Sequence, residues 1–163
     1  MPPSSERLIH KEENSNSLIN PIKDIGINIC SCPKILIVDD EIGNRKVISN
    51  YCNRLNINSE EAINGLEALE KVENFLIKYS CCPNYILILM DSNMPMMNGE
   101  ESSLKIRSFI KNQGQGMPII ICITANATNY KEDFPNSLTI YDELYYKPLT
   151  FGTFKSIVQH YNL

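Results

Sequence analysis

Three short stretches of this chain are apolar almost without a break: KILIVDD (Lys34–Asp40), YILILM (Tyr85–Met90) and MPIIICIT (Met117–Thr124). Side chains alternate between the two faces of a strand, so such a run needs apolar cover on both sides. In a globular chain that cover comes from helices lying above and below a parallel sheet. The intervening segments supply them. NRKVISNYCNRLN (Asn44–Asn56) places Val47, Ile48, Tyr51, Cys52 and Leu55 on one helical face. LEALEKVENFLIK (Leu66–Lys78) and EESSLKIRSFIK (Glu100–Lys111) show the same spacing, the second ended by the glycines of QGQG. INSEEAING (Ile57–Gly65) reads as a weaker strand, LYYKP (Leu144–Pro148) as a fifth, and FGTFKSIVQHYNL (Phe151–Leu163) as a closing helix.

Right-handed crossovers between parallel strands leave few topologies. Five such units predict a doubly wound α/β fold with a five-stranded parallel sheet in the order 2-1-3-4-5, helices on both faces. At 163 residues the chain suits one domain and an attached arm. Residues 1–33 are rich in Ser, Asn, Glu and Lys and broken by Pro2, Pro3, Pro21 and Pro33, the composition of a flexible arm or linker. A short helix near Glu6–Glu13 and an apolar tether at Ile25–Ile29 are expected within it, and the folded domain spans residues 34–163.

Ligands of such sheets bind beyond the carboxyl ends of the strands. There the chain places Asp39, Asp40 and Glu41 after strand one, Asp91 after strand three, Thr124 and Ala125 after strand four, and Lys147 and Pro148 after strand five. Each has an ordinary reading. Asp40 or Glu41 would cap the next helix, Asp91 would make an Asx-turn, Thr124 would be a plain strand residue and Lys147 a solvated charge. None of these explains why all the strand ends present polar groups to one crevice.

The segments ILIVDDEIGNRKVI, LMDSNMPMMNGEE, ITANA and YYKPL, in this order, resemble the receiver domain of two-component response regulators, over roughly Lys34 to Leu163. NGLEAL (Asn64–Leu69) is similar to that family's second helix. The resemblance implies a flavodoxin-like fold and a phosphoacceptor function. Asp91 would be the nucleophile toward a phosphohistidine donor, with Thr124, the Ala125 backbone N–H and Lys147 holding the transferred group. Three carboxylates in one crevice repel one another, and a divalent cation relieves that repulsion. Mg²⁺ takes hard oxygen ligands. The family pattern implies Mg²⁺, or Mn²⁺ in its stead, on Asp40, Asp91 and the Asn93 carbonyl, with Asp39 acting mainly through water. Residue types alone do not rank Asp39 against Asp40. Pro95 and Gly99 would shape the crevice loop, and Met94, Met96 and Met97 would pack. The match to receivers in hybrid sensor kinases hints that the parent chain carries kinase activity, while the domain itself catalyses only its own phosphorylation and dephosphorylation.

The chain departs from the pattern in one region. The aromatic residue usual three positions before the lysine is replaced by Leu144, and Tyr145 and Tyr146 are displaced from that place. The threonine-to-lysine interval is one residue longer than common, and Pro135 interrupts the expected fourth helix in NATNYKEDFPNSLTIYDE. A protein-binding scaffold that has lost phosphorylation is one alternative. A phosphatase of the haloacid dehalogenase type is another, but it wants a second Asp where Asn93 stands.

Other classes are excluded by composition. A net charge of −4 lacks the basic stripe of a nucleic-acid binder. No DNA-binding segment follows the last helix, so a protein output partner is expected. No apolar run approaches the roughly 18–20 residues of a membrane span, and the amino terminus lacks a secretory signal core. A cytoplasmic protein without direct membrane contact is expected. The six cysteines, Cys30, Cys32, Cys52, Cys81, Cys82 and Cys122, show no zinc-type spacing, so metal binding by thiolates is not expected. His10 and His160 read as incidental.

Overall fold

Five strands hydrogen-bond side by side in the computed structural model, which describes residues 30–79, 81–125 and 140–163. They are β1 (Ile35–Val38), β2 (Ser59–Ala62), β3 (Leu87–Asp91), β4 (Ile119–Thr124) and β5 (Glu143–Tyr146). All pairs are parallel, and the order is β2-β1-β3-β4-β5, as the apolar runs predict. The register sets Ile35 beside Leu87 and Leu87 beside Ile119, so the three apolar strands form the centre.

Alternation along these strands sorts the core into two layers. Leu36, Val38, Ile88, Met90, Ile120 and Cys122 face one side. There they meet Ala68 and Val72 of α2 (Gly65–Glu73) and Ile106 and Ile110 of α4 (Gly99–Asn112). Ile35, Ile37, Leu87, Leu89, Ile121 and Ile123 face the other. Ile48 and Cys52 of α1 (Ile42–Arg54) and Phe154, Ile157 and Val158 of α5 (Phe151–His160) cover them.

Three helices start on the side-chain caps their sequences offer. Asn64 accepts from Glu67 N–H at 2.9 Å, Asn98 from Glu101 N–H at 2.9 Å and Thr150 from Thr153 N–H at 3.2 Å. The helix expected over Leu66–Lys78 is split. At Asn74 the side-chain amide turns back to the Glu70 carbonyl at 2.8 Å, and a separate turn, α3 (Phe75–Lys78), follows. Val47, expected on the buried face of α1, is instead exposed, and Arg45 is buried in its turn.

Gly99, expected to shape the crevice loop, stands at a close approach of two backbones. A Cβ there would sit 2.1 Å from the Asp91 carbonyl oxygen. Gly65 does the same where α2 meets the loop before α4, since its Cβ would lie 2.6 Å from the Met97 carbonyl oxygen. Met97 is buried and Met94 packs against the core, but Met96 is exposed, with a positive φ of 68°. The irregular fourth helix expected around Pro135, the helix near Glu6–Glu13 and the tether at Ile25–Ile29 lie outside the described residues.

Candidate functional site

The carboxyl ends of β1, β3, β4 and β5 bring Asp39, Asp40, Asp91, Thr124 and Lys147 to one rim. Carboxylate oxygens of Asp39, Asp40 and Asp91 all lie within 4.8 Å of one another. Asp39 and Asp91 are buried and Asp40 is exposed. Lys147 Nζ bridges the two buried acids, 2.8 Å from Asp39 Oδ2 and 2.8 Å from Asp91 Oδ2.

β5 positions this lysine. Its N–H donates to the Thr124 carbonyl at 2.8 Å, extending the β4–β5 ladder by one rung. The Lys147–Pro148 peptide is cis. Burial alone would lower the ammonium's pKa, but its bonds to Asp39 and Asp91 outweigh that and raise it. For Asp91 the balance runs the other way. Burial raises its carboxyl above the ordinary range, Lys147 pulls it down, and the charge of Asp39 pushes it up again.

The first acids are held by α1. Asp39 Oδ1 accepts from Glu41 N–H at 2.9 Å, and Asn44 Nδ2 reaches both Asp39 oxygens at 3.1 Å and Glu41 Oε2 at 3.0 Å. Glu41 is the N-cap residue of α1, yet its side chain does not cap the helix. Arg45 Nη1 donates to the main-chain carbonyls of Asp39 at 2.6 Å and Asp40 at 3.1 Å, while its Nε pairs with Glu61 at 3.3 Å. A buried guanidinium thus fixes the backbone that carries both acids.

At the β3 end, Asn93 N–H lies 3.4 Å from Asp91 Oδ1, a long Asx-type contact. The Asx reading of Asp91 is therefore met at one oxygen, while the other engages Lys147. Ser92 Oγ donates to Thr124 Oγ1 at 2.9 Å in a buried pair. Ala125 follows at the exposed edge. Asn44, Arg45 and Ser92 are site residues that the strand-end argument missed. Asn44 and Arg45 stand one helical turn beyond the acid pair, a spacing that points back at it. For Ser92 no pattern in the sequence gives the pairing.

A groove of about 110 Å³ opens beside the acids, walled by Val47 and Ile48 of α1 and by Ile123, Pro148 and Leu149. Asp39, Asn44 and Lys147 complete its lining. Leu144 packs against the layer formed by α2 and α4, and Tyr145 joins the opposite layer. Tyr146, on the Leu144 side of the strand by alternation, is exposed. No helix of the described residues is long and apolar enough to cross a membrane.

Comparison with known proteins agrees with this geometry. The family model for the response regulator receiver domain matches residues 35–141. Hybrid signal transduction histidine kinase F of Dictyostelium discoideum is 32% identical over 139 residues, 85% of this chain but only 12% of that protein. Two-component response regulator 24 of Arabidopsis thaliana is 33% identical over 128 residues, 78% of this chain and 82% of the relative. Among solved structures, the receiver domain of the histidine kinase CKI1 from Arabidopsis thaliana, complexed with Mg²⁺, superposes with a TM-score of 0.66. It shares 24% identity and covers 78% of this chain and 90% of its own.

Proposed function

Because the chain belongs to the response regulator receiver domain family, it is a phosphoacceptor module of two-component phosphorelays, and we propose that Asp91 is the residue that accepts the phosphoryl group. The observation that carries this choice is the lysine bridge: Asp91 Oδ2 lies 2.8 Å from Lys147 Nζ, at the end of the central strand β3. An Asp91 oxygen attacks the phosphorus of a phosphohistidine. The P–O bond of an acyl phosphate forms, the P–N bond breaks, and the imidazole nitrogen keeps the electron pair. Such transfer asks mainly for alignment and charge neutralisation. Lys147 supplies one positive charge as a compact ammonium. The Thr124 hydroxyl and the Ala125 N–H hold the remaining phosphoryl oxygens. The same groups assist later attack by water, so the module catalyses only its own phosphorylation and dephosphorylation.

A divalent cation fits the donor set. Three carboxylates against one ammonium leave two uncompensated negative charges among hard oxygen donors. Asp40, Asp91 and the Asn93 carbonyl would hold Mg²⁺, with Asp39 acting through water, and Mn²⁺ would serve in its place. The bound ion supplies positive charge against the oxygens of the transferred group.

The donor is a phosphohistidine on a kinase or phosphotransfer domain, and the groove beside Val47 and Ile48 is where that partner docks. Its apolar walls adjoin Asp39 and Lys147, the lysine that bridges to Asp91, and Ile42 and Val47 stand exposed on the same helix. We read residues 34–163 as the receiver and 1–33 as its arm, in a cytoplasmic protein with a protein output partner. The likeness to hybrid kinase F, of which this chain spans about an eighth, supports a longer parent chain with kinase activity.

Acetyl phosphate with Mg²⁺ tests the choice of residue. Intact-mass measurement is expected to show one added phosphoryl group on the wild type and none on Asp91→Asn. An unmodified wild type, or a variant modified as well as the wild type, overturns it.

A further inference from the structure

Four cysteines meet at the rim opposite the carboxylates. Cys30 and Cys32 lie on the segment entering β1, and Cys81 and Cys82 on the loop entering β3. β1 and β3 are parallel neighbours with Ile35 beside Leu87, so the segments leading into them run side by side. Cys30 Sγ is 3.1 Å from Cys81 Sγ and 2.9 Å from Cys82 Sγ, and Cys32 Sγ is 2.8 Å from Cys81 Sγ. All four sulfurs lie within 4.8 Å of one another.

Burial does not account for the cluster. Cys32 belongs to the core, but Cys30 and Cys81 are exposed and Cys82 is half-buried. Each pair is followed at once by a proline, Pro33 and Pro83, which restricts the backbone of the preceding cysteine and fixes how its sulfur is presented. A tetrahedral zinc–thiolate centre has Zn–S bonds of about 2.3 Å, hence sulfur–sulfur edges of about 3.8 Å. The closest separation, 2.8 Å, is about 1 Å under that value and none exceeds it by more than about 1 Å, so seating an ion shifts the sulfurs by about an ångström at most. Four soft donors without histidine or carboxylate select zinc over the hard cation suited to the opposite rim.

We propose that Cys30, Cys32, Cys81 and Cys82 bind one Zn²⁺ as a tetrathiolate centre that ties the segment entering β1 to the loop entering β3. Binding replaces four S–H bonds by four Zn–S bonds and releases four protons to solvent, with no change of oxidation state. Zinc-type spacing is absent from the sequence because the two pairs are the C-x-C of Cys30 and Cys32 and the adjacent Cys81 and Cys82. Here Cys32 and Cys81 are 49 positions apart and are joined only by the sheet.

The protein purified under reducing conditions, exposed to Zn²⁺ and freed of excess by gel filtration, is expected to carry one zinc per chain by elemental analysis. Co²⁺ in its place should give the intense visible absorption of a tetrahedral thiolate centre. The Cys81→Ser, Cys82→Ser double variant should lose both, together with the Zn²⁺-dependent rise in Tm. Its phosphorylation by acetyl phosphate, at the far rim, reports whether it folds. Should it fail to fold, alkylation of the wild type decides: four thiols shielded by Zn²⁺ and released by chelator support the site. A wild type that retains no zinc overturns the proposal. So does a mass showing Cys30, Cys32, Cys81 and Cys82 joined in disulfides under the same conditions.

Discussion

Asp91 is buried against the cost of its own charge. Burial and the neighbouring Asp39 raise its carboxyl above the ordinary range, and Lys147 only partly offsets them. An acid whose pKa rises on folding costs stability wherever it stays ionised, that is, above its folded pKa. Asp91→Asn removes that cost and leaves Lys147 paired with Asp39. In the absence of Mg²⁺ at neutral pH, the variant should therefore melt higher, by on the order of 1 kcal/mol or about 2–4 °C. The gain should close as pH falls through the raised folded pKa toward the ordinary aspartate value of about 3.9, below which the carboxyl is protonated in folded and unfolded chain alike. A thermal melt at both pH values measures it, and a variant that melts lower at neutral pH contradicts the argument. At this scale the sequence was legible where a strand end could be counted, which located Asp39, Asp91 and Lys147. Ser92 escaped because its partner, Thr124, lies on another strand, and only the β3–β4 register brings the two hydroxyls together.

Among the elements, β2 was the hardest to read, because Ser-Glu-Glu-Ala has little of a strand's apolar character. The structure shows where its charges go. Glu61 pairs with Arg45 and Lys46 of α1. Glu60 accepts from Lys78, from Tyr79 at 2.9 Å and from Tyr85, so it joins β2 to α3 and to the loop before β3. Burial alone would raise the Glu60 carboxyl, but these hydrogen bonds overcome it and hold it below the usual value. A depressed carboxylate contributes its stability fully above the unfolded pKa of about 4.3 and loses it as pH falls through the lower folded value. Glu60→Gln should cost about 1–2 kcal/mol at neutral pH, chiefly through the tyrosine bonds, since Lys78 is exposed and its pair is screened. It should also flatten the acid side of the Tm-against-pH curve. An unchanged acid limb would assign that acid sensitivity to other groups. Helix boundaries in the described residues were legible to within a turn, except at Asn74, where the helix expected over Leu66–Lys78 breaks. The misread face of α1 has a physical cause: Arg45 is drawn inward by two carbonyls and Glu61, and Val47 is left on the wall of the groove.

For the whole molecule, the architecture was legible because three doubly apolar runs admit few arrangements. β1, β3 and β4 have helices on both faces, whereas β2 and β5 flank them with partly exposed residues. Amide exchange should follow that order. The slowest amides are expected in β3, at the centre of the sheet, and those of β2 and β5 should open by smaller, local events. Equal protection across all five strands would contradict it. The thiol cluster was invisible at this scale for the same reason that the acids were visible: sheet topology says which ends are shared, but the strand-end argument was applied at only one end. The shared strands have a consequence of their own. β1 and β3 each run from the sulfur cluster to the carboxylates, a path of roughly 20 Å at about 3.3 Å per residue. Salt screens exposed charges beyond about 8 Å but buried ones far less, and Asp39, Asp91 and Cys32 are all buried. The two ends are tied by stiff rods as well, because the paired strands β1 and β3 run from one to the other.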